Sequence, residues 1–144
     1  MLMNVWKQLL LPFFVLSPME DVTDTVFRRI IARCGRPDVF ITEFTNCDGI
    51  WSAGHDVVTQ RLKYTEEERP IIAQIWGIHP DTFYKTAQLL VELGFDGIDI
   101  NFGCPEKSVV KSGACAAMIE DPGTAVAIIA ATKRGAGTLP VSVK

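Results

Sequence analysis

Five polar side chains alternate with aliphatic residues in three short segments of the sequence. They are Gln74, Asp99, Asn101, Ser142 and Lys144. Successive side chains of a strand point to opposite faces, so this alternation places the polar groups on one face and the aliphatic groups on the other. An unpaired buried amide costs about 1–3 kcal/mol, so these polar groups need partners. Those partners could be one another and loop backbone, but convergence at the carboxyl ends of strands favours a ligand site.

A cysteine with possible acid chemistry follows one of these segments. Cys104 lies in the turn 101–105, where Gly103 lets the chain turn and Pro105 fixes its exit. A thiol with an ordinary pKa of about 8.5 is mostly protonated at neutral pH, so it can serve as an acid as well as a latent nucleophile. Most lone cysteines are small core residues. We predict that structural role for Cys34, Cys47 and Cys115.

The elements that would position these groups alternate along the chain. Apolar runs predict five strands, at 13–16, 39–42, 71–75, 97–101 and 140–144. The first run is continuous, which predicts a strand covered on both faces. Together with the apolar residues from Leu9 onward, it is too short for a membrane span of about 20 residues, so we interpret 9–16 as a buried first strand rather than an export signal.

Capping residues and apolar periodicity predict the helices. The first begins at Thr23 or Asp24 and ends at Gly35, and its predicted apolar face contains Phe27, Ile30, Ile31 and Cys34. Helices are also predicted at 83–93, opened near Pro80, and at 125–133, with Asp121 as the N-cap. The less regular stretch 45–69 predicts a short helix at 45–53 followed by loop.

Strands that alternate with helices indicate an α/β fold with parallel strands and right-handed crossovers. An open doubly wound sheet and a (β/α)8 TIM barrel both fit this alternation. A complete barrel needs about 250 residues, whereas this chain has 144. If the fold is a TIM barrel, only about its first five strands are present.

Composition limits the possible partners. The chain is 48% hydrophobic and 22% charged, with a net charge of −3, which is typical of a globular protein without an overall basic surface. A nucleic-acid partner would therefore need a local basic patch or residues that this chain lacks. The four cysteines form no CxxC pair. We therefore expect reduced thiols in the cytoplasm and no metal site.

Two segments resemble signatures of the tRNA-dihydrouridine synthase family. The segment 17–24, followed by Phe27 and Arg28, is similar to the opening signature of that family, and 101–105 with Lys107 and Lys111 resembles its active-site loop. Further similarity at 42–43, 69–74, 96–100 and 140–144 extends the resemblance from Pro12 to the last residue. The chain departs from the family pattern at Ser17, at Asp21 and in the loop at 114–115, which is usually richer in glycine.

The resemblance implies an FMN-binding TIM barrel that reduces the C5–C6 double bond of uridine in tRNA, with NADPH as the reductant of the flavin. Pro18 and Met19 would then line the isoalloxazine ring, while Gln74 and Lys144 would bind its polar edge. A glutamine amide matches the donors and acceptors of the flavin pyrimidine, and a lysine would stabilise the anionic reduced ring. Hydride would pass from flavin N5 to uracil C6, and Cys104 would protonate C5.

The resemblance also implies contacts to the tRNA substrate. Asn101 would face the uracil together with Cys104, and Lys107 and Lys111 would be candidates for a tRNA phosphate. The arginines of the first helix region are expected on a solvated face; they are Arg28, Arg29, Arg33 and Arg36.

The chain 1–144 would form the amino-terminal part of the flavin-binding domain, without the remaining barrel and the helical tRNA-binding domain. Such a partial barrel would expose sheet edges that favour association. Two alternatives stay open: a noncatalytic fragment of such an enzyme, and a Schiff-base aldolase with Lys144 as its amine nucleophile. Neither a metal nor a membrane partner is expected.

Overall fold

The computed structural model describes residues 4–144 and contains one sheet of parallel strands. The strands are β1 Val15–Leu16, β2 Val39–Ile41, β3 Thr45–Asn46, β4 Ile71–Trp76, β5 Gly97–Ile100 and β6 Val141–Val143. Their order is β1-β2-β4-β5-β6, and β3 pairs with the later part of β4. Because β2 pairs with the earlier part of β4, β2 and β3 share one position in the sheet. The five predicted strand positions and their parallel pairing are confirmed.

The strand order distinguishes the two architectures that the sequence leaves open. A doubly wound sheet reverses its order at a switch point, where its ligand binds. Here each strand position follows the previous one in chain order from β1 to β6. The described residues therefore form a run of barrel-type β/α units and not a doubly wound sheet.

Three long helices and several short ones connect the strands. The helices are α1 Thr25–Gly35, α2 Cys47–Ile50, α3 His55–Val58, α4 Pro80–Glu92, α5 Lys107–Lys111 and α6 Pro122–Ala136. Asp24 and Asp121 act as N-caps and accept hydrogen bonds from Phe27 N at 2.8 Å and Thr124 N at 3.0 Å, respectively. These caps and the lengths of α1, α4 and α6 confirm the predicted long helices. In residues 4–144 we find no helix that is both long enough and apolar enough to cross a membrane.

The main core lies between the sheet and its helices. Aliphatic side chains of β4 and β5 pack with buried residues of α4 and α6, including Phe83, Leu90 and Ile128. Helices α4 and α6 approach so closely that a Cβ on Gly135 would lie 2.3 Å from the Tyr84 carbonyl oxygen. The predicted sorting of strand residues, with aliphatic groups toward the helices, is confirmed for β4 and β5.

The amino-terminal side of the sheet is tied together by ion pairs and hydrogen bonds. Asp96, which precedes β5, accepts from Arg69 Nη1 and from the Ile71 backbone N–H, both at 2.8 Å. Arg69 also pairs with Glu66 at 2.8 Å.

A separate apolar cluster contains Val5, Val39, Ile41 and Ile72, with Trp6 packed against it. The segment at Val5–Lys7 therefore packs against inward side chains of β2 and β4.

The predicted first strand is only partly correct. Strand β1 contains Val15 and Leu16, whereas Phe14 is 73% exposed and Leu10 and Leu11 are also exposed. The interpretation of 9–16 as a buried strand is therefore wrong for its first part. The reason is topological, since β1 is the outermost strand and pairs only with β2 among the described residues.

The predicted apolar face of α1 needs correction as well. Phe27 and Ile31 are partly buried, but Ile30 is 55% exposed and Cys34 is exposed. Arg28, expected on a solvated face, is completely buried. The buried carboxylate of Glu68 pairs with this guanidinium. Helix α1 therefore buries a charged residue that was predicted on its solvated face, while two residues of its predicted apolar face are exposed.

The segment 45–69 also differs from its prediction. Thr45 and Asn46 form β3 instead of opening a helix, and α2 ends at Ile50. The Asn46 side chain accepts from Gly49 N at 2.9 Å, which starts the helix after Asn46. The region predicted as loop contains α3 and the short helical turns Thr59–Leu62 and Glu66–Glu68.

Candidate active site

The inward polar side chains of three neighbouring strands form a hydrogen-bonded network. Gln74, Asp99 and Ser142 occupy paired positions on β4, β5 and β6. Gln74 Nε2 donates to Asp99 Oδ2 at 2.7 Å, and Ser142 Oγ donates to Asp99 Oδ1 at 2.6 Å. Asn101 Nδ2 donates to Gln74 Oε1 at 3.0 Å. These four groups therefore satisfy one another at least in part, and the network is rigid because Gln74, Asp99 and Asn101 are all buried.

Asn101 connects this network to the cysteine turn. Its Oδ1 accepts from the backbone N–H groups of Gly103 and Cys104, each at 3.0 Å. The Cys104 carbonyl in turn accepts from Ala116 N at 3.3 Å. Cys104 itself is partly exposed. The turn thus holds an accessible thiol in a fixed position beside the polar network.

A cavity of about 450 Å³ opens beside this network. Apolar parts of its wall come from Trp6, Pro18 and Ile41, and polar parts come from Gln74, Asp99, Ser142 and Lys144. The Lys144 ammonium has no hydrogen bond or ion pair with any side chain of residues 4–144. This combination suits a flat ring system with one apolar and one polar edge.

Met19 lies at the edge of this site and not among the residues that line the cavity. It is 43% exposed, and its backbone is held by Thr23. Met19 N donates to Thr23 Oγ1 at 2.9 Å, and Thr23 N donates to the Met19 carbonyl at 3.0 Å. Thr23 is fully buried, and its own carbonyl accepts from Arg28 Nη1 at 2.6 Å. Sequence reasoning missed this support of the Pro18–Met19 segment.

The two loop lysines lie outside the cavity. Lys107 and Lys111 begin and end α5 and are exposed. The Glu106 carboxylate accepts from the Ser108 hydroxyl and from Val109 N, the latter at 3.1 Å, and these hydrogen bonds lower the pKa of Glu106 and cap the helix. The cap fixes the helix that carries both lysines directly after the cysteine turn.

Cys115 lies in the same loop region and is fully buried, which agrees with its predicted structural role. Its φ of 52° is in the left-handed region that favours glycine, and the loop at 114–115 is the one that departs from a pattern usually richer in glycine. Burial raises the pKa of Cys115 to about 12, with a further contribution from nearby Cys104. Burial also raises the pKa of Cys47. These two thiols are therefore poor nucleophiles.

A second group of charged residues, which the sequence did not reveal as a site, follows β1 and β2. Glu43 is buried and accepts from Asp21 N at 2.8 Å. Burial raises the pKa of Glu43 above its ordinary value. Arg61 pairs with Glu20 and lies 3.6 Å from Asp21. No three His, Cys, Asp or Glu side chains within residues 4–144 are grouped as a metal ion would require.

A parallel sheet in chain order, with a polar network where its strands end, defines a protein of the (β/α)8-barrel type, of which this chain has five strand positions. A family model for dihydrouridine synthase matches residues 15–144. The chain therefore belongs to the dihydrouridine synthase family, as the sequence resemblance predicted.

Curated relatives agree with this assignment. The chain is 51% identical over 142 residues to a probable tRNA-dihydrouridine synthase 2 of Bacillus subtilis (strain 168). It is 49% identical over the same length to a probable tRNA-dihydrouridine synthase of Staphylococcus aureus (strain COL). Each alignment covers 98% of this chain and 43% of the relative. The chain thus spans less than half the length of these relatives.

Proposed function

We propose that this chain forms the flavin-facing and uridine-facing part of a tRNA-dihydrouridine synthase, an oxidoreductase that reduces the C5–C6 bond of uridine in tRNA. The observation that carries the proposal is the position of Asn101. Its amide joins the Gln74–Asp99 network to the backbone of Cys104. A cofactor site and a proton donor are thereby held in one rigid unit, as reduction of a double bond by hydride and proton requires. Family membership supports the same reaction.

The cavity beside β4 and β6 fits FMN. Pro18 and Trp6 offer an apolar surface, and the Gln74 amide has both a donor and an acceptor for the pyrimidine edge of the ring. Lys144 lines this cavity, and its ammonium would bind the polar edge of the ring and favour the negative charge there. Met19, at the edge, would contact the ring from the segment that Thr23 holds. When bound, FMN would supply the hydride, with NADPH as the reductant.

Cys104 would supply the proton. Uracil C6 gains a hydride and C5 gains the thiol proton, so the C5–C6 double bond becomes single and Cys104 is left as a thiolate, which regains its proton from water. Asn101 would orient the uracil and, through the N–H of Cys104, keep the thiol at a constant position. Lys107 and Lys111 would bind tRNA phosphate beside this reaction.

The full activity would require parts that the longer relatives contain and this chain does not. We assign 1–144 to the amino-terminal part of the barrel domain, and its match to 43% of the length of each of two relatives is consistent with part of a longer enzyme. The remaining barrel strands and a helical tRNA-binding domain would complete the enzyme. The four cysteines are unpaired, which fits a reaction in the cytoplasm.

Substitution of Cys104 tests the proposal. In the intact enzyme that contains this chain, Cys104→Ala should abolish dihydrouridine formation, measured by nucleoside mass spectrometry, and should leave flavin reduction by NADPH largely intact. Cys34→Ala is the matched control, because Cys34 is exposed on α1, away from the turn. Undiminished turnover by Cys104→Ala would exclude Cys104 as the proton donor, and a colourless enzyme that binds no FMN would refute the whole assignment.

The Lys144 ammonium has no hydrogen bond or ion pair with a side chain of the described residues 4–144, which supports an aldolase as the second candidate. A Schiff base requires a lysine amine with access to a carbonyl substrate. Borohydride reduction in the presence of that substrate would trap it on Lys144, and mass spectrometry of the tryptic peptides would locate it. A flavin absorption spectrum without such trapping supports the synthase.

A further inference from the structure

A second cavity, of about 250 Å³, lies at the same end of the sheet and has no part in the reaction described above. Its walls include Asn46, Trp76, Ser108, Ser112 and Ala114, from the ends of β3 and β4 on one side and from the α5 region on the other. Cys115 follows Ala114 directly, and Ala116 N donates to the Cys104 carbonyl. The lining segment 108–114 therefore follows the cysteine turn closely in the chain, and the hydrogen bond from Ala116 connects the end of this segment back to the turn.

The polar groups of this cavity have unused hydrogen-bonding capacity. Asn46 Oδ1 accepts from Gly49 N, while the Nδ2 hydrogens of Asn46 have no partner within residues 4–144. Ser112 Oγ donates its hydrogen to the Val109 carbonyl at 2.7 Å, which leaves its lone pairs as acceptors. The cavity thus offers both donors and acceptors. Two further polar wall groups are already bound, Asp48 by Thr82 and His79 and the Ser108 hydroxyl by Glu106.

An aromatic surface and positive charges accompany these groups. Trp76 is partly exposed and lines the cavity, and Phe44 contacts it edge-on with ring centroids 6.2 Å apart. Lys107 and Lys111 are exposed on the helix that also contributes Ser108. An aromatic ring, mixed donors and acceptors, and nearby cations are the features that bind a single unstacked nucleotide.

We propose that this cavity binds the base of a nucleotide directly adjacent to the target uridine in the RNA strand. The inference rests on the proposed function, since the uridine must reach Cys104. An enzyme that modifies a base must take it out of the stack, so the neighbouring base loses a stacking partner. Trp76 would replace that partner, and Asn46 and Ser112 would contact the base edge.

Two tRNA substrates with an abasic nucleotide test this inference, one abasic immediately 5′ and the other immediately 3′ of the target uridine. For the unmodified enzyme, one of the two should bind roughly tenfold more weakly than intact tRNA, which is the order expected for one base–aromatic stack. Trp76→Leu should weaken binding of intact tRNA by a similar factor and show no further loss with that abasic tRNA. We call the loss of affinity caused by that abasic nucleotide the abasic penalty. Trp76→Phe, which keeps an aromatic ring, should retain most of this penalty.

Trp51→Leu is the control, because Trp51 does not line this cavity. It is 47% exposed and donates its Nε1–H to Thr86. It should show the full abasic penalty. Equal binding of both abasic tRNAs and intact tRNA by the unmodified enzyme would overturn the inference, and so would an undiminished penalty in folded Trp76→Leu. In either case dihydrouridine formation on intact tRNA would leave the proposed function standing. An enzyme that binds no tRNA would overturn both.

Discussion

Arg28 and Glu68 form an ion pair in which neither side chain is exposed, with Arg28 Nε 2.5 Å from Glu68 Oε2. The remaining hydrogen-bonding groups of the pair are also satisfied. Glu68 Oε1 accepts from Thr25 Oγ1 at 2.6 Å, and Arg28 Nη2 donates to the Lys63 carbonyl at 2.7 Å. The pair therefore joins the start of α1 to the segment before β4, and through Thr23 it supports the loop that follows β1.

Loss of Arg28 should destabilise the protein strongly. Arg28→Met leaves the Glu68 carboxylate buried without its counter-ion, which typically costs about 3–5 kcal/mol. Urea unfolding should show a decrease of that order in the free energy of unfolding. Arg33→Met on the same helix is the control, because its 3.6 Å pair with Glu67 is largely exposed, and such pairs contribute at most about 1 kcal/mol. Equal losses in the two variants would contradict the importance of the buried pair.

Gly135 should tolerate no side chain. A Cβ at this position would lie 2.3 Å from the Tyr84 carbonyl and 2.9 Å from the Ala87 Cβ, so Gly135→Ala must push α4 and α6 apart. Overpacking of this kind costs about 1–3 kcal/mol. Gly123→Ala lies in the same helix, and its nearest contact would be an ordinary 3.6 Å from Asp121. Thermal denaturation should therefore show a lower Tm for Gly135→Ala than for Gly123→Ala.

The four thiols should differ in reactivity. Iodoacetamide at pH 8 should modify Cys34, which is exposed, and Cys104, which is partly exposed. It should spare Cys47 and Cys115 in the folded protein, because burial raises the pKa of Cys115 to about 12 and also raises the pKa of Cys47. Peptide mass spectrometry measures the modification, and all four thiols should react in urea. Rapid labelling of Cys115 in folded protein would contradict this.

Removal of the α5 lysines should lower the affinity for tRNA and make that affinity less sensitive to salt concentration. Lys107 and Lys111 are exposed and have no ion-pair partner within residues 4–144. Each phosphate contact that is lost should reduce the slope of log K against log salt by roughly 0.7–0.9. Lys133→Ala, near the end of α6, is the control and should keep the slope. An unchanged slope in Lys107→Ala/Lys111→Ala would exclude phosphate contacts by these residues.

Glu43 should make the protein less stable as the pH rises. Burial raises the pKa of Glu43 in the folded state. Between its ordinary value, near 4.5, and the raised value, the folded state holds more protons than the unfolded state, so the free energy of unfolding falls with increasing pH. Glu43→Gln removes this pH-dependent contribution to the free energy of unfolding and keeps an acceptor for Asp21 N. From pH 4 to 7, the free energy of unfolding measured in urea should therefore rise for Glu43→Gln relative to the unmodified protein.

Local sequence patterns predicted much of the sheet and its inward network. The alternation around Asp99 and Ser142 assigns these side chains to the inner face, because strand geometry alone determines which face a residue occupies. Asp121 and Pro122 likewise mark the start of α6, because capping depends on adjacent residues. These features depend on neighbours in the chain, which a single sequence displays.

Features that depend on distant contacts escaped prediction. Helical periodicity assigns Arg28 to the surface, since it cannot show that Glu68, 40 residues away, will bury the guanidinium. The structure contains a capping box between Thr65 and Glu68, and this local motif does not identify Arg28 as the partner of the Glu68 carboxylate. Phe14 is exposed and directly precedes β1, an outermost strand of the sheet, which is a property of topology and not of local pattern.

The ion pairs and hydrogen bonds around Asp96 anchor the amino ends of β4 and β5, whereas Cys104, Met19 and α5 lie in loops that leave the opposite ends. Substitutions of exposed side chains in those loops can therefore leave the contacts around Asp96 unchanged. Related proteins with this fold can therefore differ in the ligand that the loops bind while they keep the same stabilising contacts at the amino ends of the strands.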